Sequence, residues 1–232
     1  MKKLSSVKIK IFTIVVLLIL AIILSSLYAG LVVYRVSKLN GIVVVIDAGH
    51  GGRDGGSVGL SGTIEKELNL EYAIALKEKL VSGGYSVVMT RETDDGLYDT
   101  FAKNKKVSDM DARMRIIKKA NPNLMVSIHM NSFRDPTARG ATTYYRVDDE
   151  SSRKVGDLIQ KALYTYCGAK FEKSKAGDYF MVNCSYYTSV LVECGFLSNP
   201  EEEQLLKTKE YKNKLIDAVY SGILLYFGNQ KL

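Results

Sequence analysis

Apolar positions in this chain alternate between short continuous runs and longer amphipathic stretches. Ile42–Ile46 is a β-branched run of the kind buried on both faces of a sheet. A glycine-rich loop over 49–62 follows. Residues 65–82 predict a helix, with Thr63 as N-cap, Leu68, Tyr72, Leu76 and Leu80 on one stripe, and Gly83-Gly84 as its stop. Ser86–Thr90 is the next strand, and a strand–loop–helix–strand unit makes the two strands parallel. After a polar excursion over 92–107, Ser108 and Asp111 resemble a capping box opening a helix to about Ala120. Strands are predicted at Leu124–Ile128, Thr142–Val147, Asp178–Val182 and Ser189–Val192. The spacing of Val155, Leu158/Ile159, Ala162 and Tyr166 gives a helix over 151–166. Asn199 and Pro200 open a short acidic helix, and a last helix over about 209–227 buries Leu215, Ile216, Val219 and Ile223. The expected fold is a single α/β domain, a mixed and mostly parallel sheet with helices on both faces.

The N-terminus reads differently. Ile11 to Tyr34 carries no charge and is dominated by Ile, Leu and Val. At about 1.5 Å per helical residue it is long enough to span a bilayer with some tilt. Cleavage after Ala29 or Gly30 would place Leu27 or Tyr28 at −3, so an uncleaved transmembrane helix is expected rather than a signal peptide. Four lysines precede the span, whereas Arg35 and Lys38 follow it. That bias predicts a cytoplasmic tail at 1–10, an anchor at 11–34, a linker at 35–40 and an extracytoplasmic domain at 41–232. Charge supports the division. The chain has 32 Lys and Arg against 25 Asp and Glu, and residues 1–40 hold six of the bases and no acid. Residues 41–232 therefore carry 26 bases and 25 acids, and a net charge of +1 offers no general nucleic-acid surface. Cys167, Cys184 and Cys194 form no CxxC pattern and do not read as a metal or redox motif.

Candidate chemistry gathers at predicted strand ends. His50 and His129 are the chain's two histidines, and each follows the carboxyl end of an apolar strand. A third such strand ends in Glu193. Side chains beyond the carboxyl ends of parallel strands meet at one rim, where ligands bind. Two imidazoles suit zinc, whose catalytic sites have three protein ligands and one open position. The third ligand should be a carboxylate at the same rim. Glu65 is the candidate, since it opens the helix that the glycine-rich loop returns there, although an acid in a first turn also complements the helix dipole. Position alone leaves Asp47 and Asp54 open as ligands. Glu193 is either a strand-end ion-pair partner or a carboxylate at a partly dry rim, where its pKa rises.

The strings VVVIDAGHGGRDGGSVGLSGTIEKELNL, TRETD, NLMVSIHMNS and VLVECGFLSNPEE resemble the zinc-dependent N-acetylmuramoyl-L-alanine amidases of bacterial cell walls. They occur in the family's order over Ile42 to Tyr226. The resemblance implies that His50, Glu65 and His129 bind Zn2+ and that Glu193 is the catalytic glutamate. The implied reaction hydrolyses the amide between N-acetylmuramic acid and L-alanine in peptidoglycan. Asn131 and Ser132 would contact substrate amides, or serve as turn residues. Thr188-Ser189 departs from a proline frequent in relatives, which touches strand entry and leaves the ligands alone.

Relatives often carry wall-binding repeats or a helical insert over the zinc; the interval from His129 to Glu193 here leaves no room for a dedicated occluding domain. A bare catalytic domain on an anchor resembles the sporulation and germination amidases that strip stem peptides from spore-cortex glycan, allowing muramic-lactam formation. The short loops imply a small open rim, hence the hypothesis that an exported activating protein assists zinc or glycan binding. Two other readings compete with amidase activity. A zinc carboxypeptidase or endopeptidase cutting within the stem is disfavoured by the wide spacing of His50 and Glu65, and a silent wall-binding protein by the presence of all four functional side chains.

Overall fold

The structure, a computed structural model, describes residues 12–28, 30, 41–183 and 186–228. The chain divides into two units, Met1–Gly41 and Ile42–Leu232. In the first, residues 12–28 form a helix, α1. No helix among the described residues is long and apolar enough to cross a membrane. The transmembrane helix expected over 11–34 is thus overturned, and the membrane-anchored, extracytoplasmic placement built on it goes with it. The basic tail at 1–10 and the linker at 35–40 lie outside the described residues.

The second unit is a mixed α/β domain. Its six strands are β1 (Val43–Ala48), β2 (Ser86–Met89), β3 (Leu124–Asn131), β4 (Thr142–Tyr145), β5 (Lys175–Ala176) and β6 (Ser189–Phe196), in the order β2-β1-β3-β6-β4-β5. β1, β2, β3 and β6 run parallel, and β4 is antiparallel to β6. The β-branched and apolar runs of β1, β3 and β6 occupy the interior because both of their faces are covered. The helices are α2 (Glu65–Ser82), α3 (Lys105–Ala120), α4 (Glu150–Cys167), the single turn α5 (Phe180–Asn183), α6 (Pro200–Leu206) and α7 (Lys209–Gly228). Ile117 of α3 and Met181 and Val182 of α5 pack with Val45, Met125 and Leu191 into a cluster on one face of the sheet. α7 packs against α2 and α4.

The helix stripes hold: Leu68, Tyr72, Leu76 and Leu80 are buried, as are Leu215, Ile216, Val219 and Ile223. Asn199 caps α6 by accepting from the amides of Glu201 and Glu202, with Pro200 at the first helical position. Four local expectations fail. Ile64, not Thr63, precedes α2, and no side chain caps that helix. α3 begins a turn early, because Asn104 accepts from the amide of Val107 at 3.1 Å; Ser108 instead accepts from the Asp99 amide. The strand predicted at 178–182 is the turn α5, closed by the amides of Val182 and Asn183 on the Tyr179 carbonyl. That turn buries Met181 and Val182 together, which an alternating strand does not do. Tyr166, placed on the α4 stripe by its spacing, is exposed.

α4 and α7 touch where Gly222 has no side chain. A Cβ there would lie 2.6 Å from backbone atoms of Ile159. Because the obstacle is backbone, Gly222→Ala should lower stability by about 1–3 kcal/mol, read as a drop in Tm with the domain still folded. An unchanged Tm would mean that the helices separate without cost.

Candidate metal centre

β1 and β3 end side by side, with Asp47 opposite Ser127 and Ala48 opposite Ile128. One step further, His129 of β3 stands opposite Glu193 of β6. The sheet register therefore delivers two of the four candidate groups to adjacent positions at the carboxyl rim. His50 comes from the loop after β1 and adopts a left-handed backbone, φ +61°, which few non-glycine residues do. Glu65 is the first residue of α2, and its buried carboxylate points back at the same spot. Its Oε1 lies 3.2 Å from His50 Nε2 and 3.0 Å from His129 Nδ1. The rings of His50 and His129 sit edge to face with centroids 5.0 Å apart. Donor atoms of His50, Glu65 and His129 all fall within 4.8 Å of one another, so these three residues could hold a metal ion.

The donor set fits a tetrahedral cation, since ligands about 2.0–2.1 Å from one such ion lie about 3.3 Å apart. Two glycines leave room for it. A Cβ on Gly49 would come within 2.3 Å of the His129 ring, and one on Gly56 within 2.5 Å of Glu65 Oε2 and 2.8 Å of His50 Cδ2. Two of the three ligands are also oriented from behind. Glu65 accepts from the amide of Ser57 at 2.7 Å, from Asn69 Nδ2 at 3.2 Å and from the amide of Met130 at 3.3 Å. His50 Nδ1 lies 2.9 Å from Asp54 Oδ1, an ion-pair contact without the in-line geometry of a hydrogen bond. Asp54 thus stands behind His50 and faces its far nitrogen. Asp47, also left open as a ligand, serves elsewhere.

Electrostatics separates the two rim carboxyls. Burial opposes the Glu65 charge, but contacts to His129 and His50 outweigh it and hold the carboxyl well below the usual range. Burial likewise opposes a charge on His50, yet Glu65 and Asp54 raise its pKa. Glu193 is 7 % exposed, and its Oε2 has no hydrogen-bond partner. Burial pushes its carboxyl up to about 7, with His129 opposing and Glu65 reinforcing the rise.

Sequence reasoning missed the network beneath the site. Arg113 of α3 is fully buried and donates to Asp109 (2.7 Å), Asp47 (2.7 Å), the carbonyl of Ala48 (2.8 Å) and the carbonyl of His50. Arg91 donates to the carbonyls of Ala48 and Gly49 at 2.9 Å and to that of Lys66 at 2.7 Å. Asp47 also accepts from Thr90 and Ser127. From α6, Glu203 accepts from the amide and hydroxyl of Ser61 and the amide of Thr63, fixing the loop that leads into Glu65. A signal was present: Asp109, Arg113 and Ile117 share one i, i+4 stripe, and Asp47 and Ser127 interrupt apolar strands. Asn131 and Ser132 do not line the cavity beside the cluster; Asn131 Oδ1 accepts from the Ser132 amide at 2.8 Å, a local turn contact.

Two imidazoles and a carboxylate converging beside an unpartnered carboxyl, at the edge of a mostly parallel sheet, are the donor set of a metal-assisted hydrolase. Residues 44–224 match the family model described as N-acetylmuramoyl-L-alanine amidase, and the chain belongs to that family. It is 36% identical over 194 residues to the germination-specific N-acetylmuramoyl-L-alanine amidase of Bacillus subtilis, covering 82% of this chain and 81% of the relative. Among solved structures it resembles the CwlD amidase of Clostridioides difficile in complex with the GerS lipoprotein, with TM-score 0.78, 34% identity, and coverage of 82% of this chain and 100% of that one. The catalytic domain of CwlV, an N-acetylmuramoyl-L-alanine amidase from Bacillus (Paenibacillus) polymyxa var. colistinus, gives TM-score 0.70 at 30% identity, covering 82% and 99%.

Two outcomes follow from this geometry. Gly56→Ala places a methyl against both Glu65 and His50 at a backbone φ of +69°, so metal affinity measured by competition with a chelator should fall at least about tenfold. Unchanged affinity would mean that the loop adjusts freely. Burial works against the Asp47 charge, but Arg113 and Ser127 overcome it and hold the carboxyl down at about 2. A depressed folded pKa contributes stability above the unfolded value of about 3.9, and that contribution is lost as pH falls through about 2. Urea unfolding of metal-free wild type and Asp47→Asn should show their difference shrinking by about 2 kcal/mol between pH 6 and pH 2. A difference independent of pH would refute the charge pairing.

Proposed function

We propose that this chain hydrolyses the amide joining the lactyl group of N-acetylmuramic acid to L-alanine in peptidoglycan, using a zinc ion held by His50, Glu65 and His129. The observation that carries this reading is the convergence of those three donors beside the unpartnered carboxyl of Glu193, in a chain of the amidase family. Zinc, when bound, supplies a Lewis acid for the scissile carbonyl and lowers the pKa of water toward neutrality. Glu193 accepts a proton from the attacking water and returns it to the departing amine of L-alanine. Its buried Oε2, which no donor engages, leaves the carboxyl free to take that proton and hand it on. Asp54 behind His50, and Asn69 with the Ser57 and Met130 amides around Glu65, keep those groups aimed while the substrate is held.

The relative named germination-specific supports a setting in spore-cortex peptidoglycan. Muramic acid freed of its stem peptide carries the carboxyl that a muramic lactam requires. The complex of the C. difficile amidase with a lipoprotein supports a protein partner for this chain too.

Digestion of purified peptidoglycan should release peptides with free N-terminal L-alanine, leave glycan with free lactyl carboxyls, and stop on chelation, all by mass analysis. Products in which L-alanine stays on the glycan would sink the proposal. Glu193→Gln should keep stoichiometric zinc and lose at least about a hundredfold in turnover, whereas His129→Ala should lose the zinc itself.

A further inference from the structure

Two cavities adjoin, one of them at the candidate metal cluster. One, about 230 Å³, is lined by His50 and His129 together with Met110, Tyr179 and Phe180. The other, about 240 Å³, is lined by Gly51, Arg53, Tyr98, Lys105 and Asp109. Asp54, Lys106 and Met110 border both, so they form one groove folded over a shared ridge. Each half is small beside ligand sites of about 300–1,000 Å³, a size for amino-acid residues rather than for a glycan strand.

The outer half is basic where a ligand can reach it. Its two acids are already engaged. Asp109 is buried and accepts from Arg113 at 2.7 Å and from the Leu97 amide at 2.6 Å. Asp54 faces His50 and accepts from the amide of Gly56 and from Lys106 at 3.2 Å. Arg53 is exposed, and among the described residues no acid lies within ion-pair distance of it or of Lys105. The Lys105 ammonium sits 5.3 Å from the Tyr98 ring centroid, a contact that holds the side chain and leaves its charge uncompensated.

A muramoyl peptide is asymmetric in charge. Once its lactyl carboxyl is in the amide bond, the amino-sugar side is neutral. The stem continues from L-alanine into a glutamate joined through its side chain, which leaves an α-carboxylate. Only the peptide side carries anions, so only it matches the basic half of the groove.

Building on the amidase reading, we infer that the stem peptide crosses the Met110–Lys106 ridge and places the α-carboxylate of its second residue between Arg53 and Lys105. The groove thereby selects stems whose glutamate α-carboxyl is free over stems in which it is amidated. Arg53 and Lys105 act in specificity and take no part in proton transfer.

The test uses the full chain loaded with zinc and two sets of short glycan strands, identical except that the glutamate α-carboxyl is free or amidated. Wild type should cleave the free form with a kcat/KM about tenfold higher, mostly through KM, and Arg53→Glu/Lys105→Glu should abolish or reverse that ratio. The ratio compares two substrates on one protein, so a general folding lesion cancels. Equal cleavage of both by wild type, or a wild-type ratio in the double variant, overturns the subsite while the amidase reading stands. Cleavage of neither substrate overturns both.

Discussion

Beyond the last paired residue of β1 the chain must turn sharply to present His50, and the turn leaves the carbonyls of Ala48, Gly49 and His50 pointing into a dry interior. Buried carbonyls without donors are costly, each worth about 1–3 kcal/mol. Arg91, Arg113 and Asn69 supply the donors, and Asp47 and Asp109 neutralise Arg113. Burying an arginine is favourable only when its donors are nearly all used, and Arg113 uses Nε and both terminal nitrogens. The left-handed backbone of His50 is one product of this grip. Without it, the first ligand would sit on a free glycine-rich loop.

The second consequence concerns the two carboxyls at the rim. Both are buried, yet their environments drive them apart. Glu65 lies between two imidazoles and accepts from backbone amides, which favours its ionised form. Glu193 is given no donor on Oε2, and burial pushes it up to about 7. Identical side chains acquire different acidities through their neighbours alone. The sheet register sets the division, since β6 places Glu193 opposite His129 and beyond reach of the amides that line the Glu65 loop.

Much of this was legible in the sequence where one periodicity governs. The α2 and α7 stripes, the inner strands and the rim positions of His50, His129 and Glu193 follow from apolar runs ending in polar residues. Legibility failed where a long-range contact overrides a local signal. Thr63 does not cap α2, because the first amides of that helix are taken by the preceding loop, Glu65 donating to the Ser57 carbonyl and Lys66 to that of Gly55. The two-residue β5 has no pattern to detect. An amphipathic template assigns a charge such as Arg113 to water, whereas here it is fully buried. The uncharged N-terminal run was read as an anchor from composition and length, whereas no helix among the described residues is long and apolar enough to cross a membrane.

α6 shows why a small domain without an insert over its candidate metal cluster can keep a defined site. Its acidic residues look like dipole-complementing surface groups, but Glu202 and Glu203 are buried. Glu202 accepts from the amides of Gly140 and Phe196, and Glu203 from Ser61 and Thr63. One short helix thus ties the loop before Glu65 to the strand end after Glu193 and to the segment entering β4. Gly59 has no side chain where Glu203 passes, as Gly49 and Gly56 have none where the ligands meet. The rim is held by buried charges on backbone amides and carbonyls, which have direction, rather than by apolar packing, which has little. Rigidity therefore comes from beneath the sheet edge, and the surface above it stays open to a polymer too large to enter an enclosed pocket.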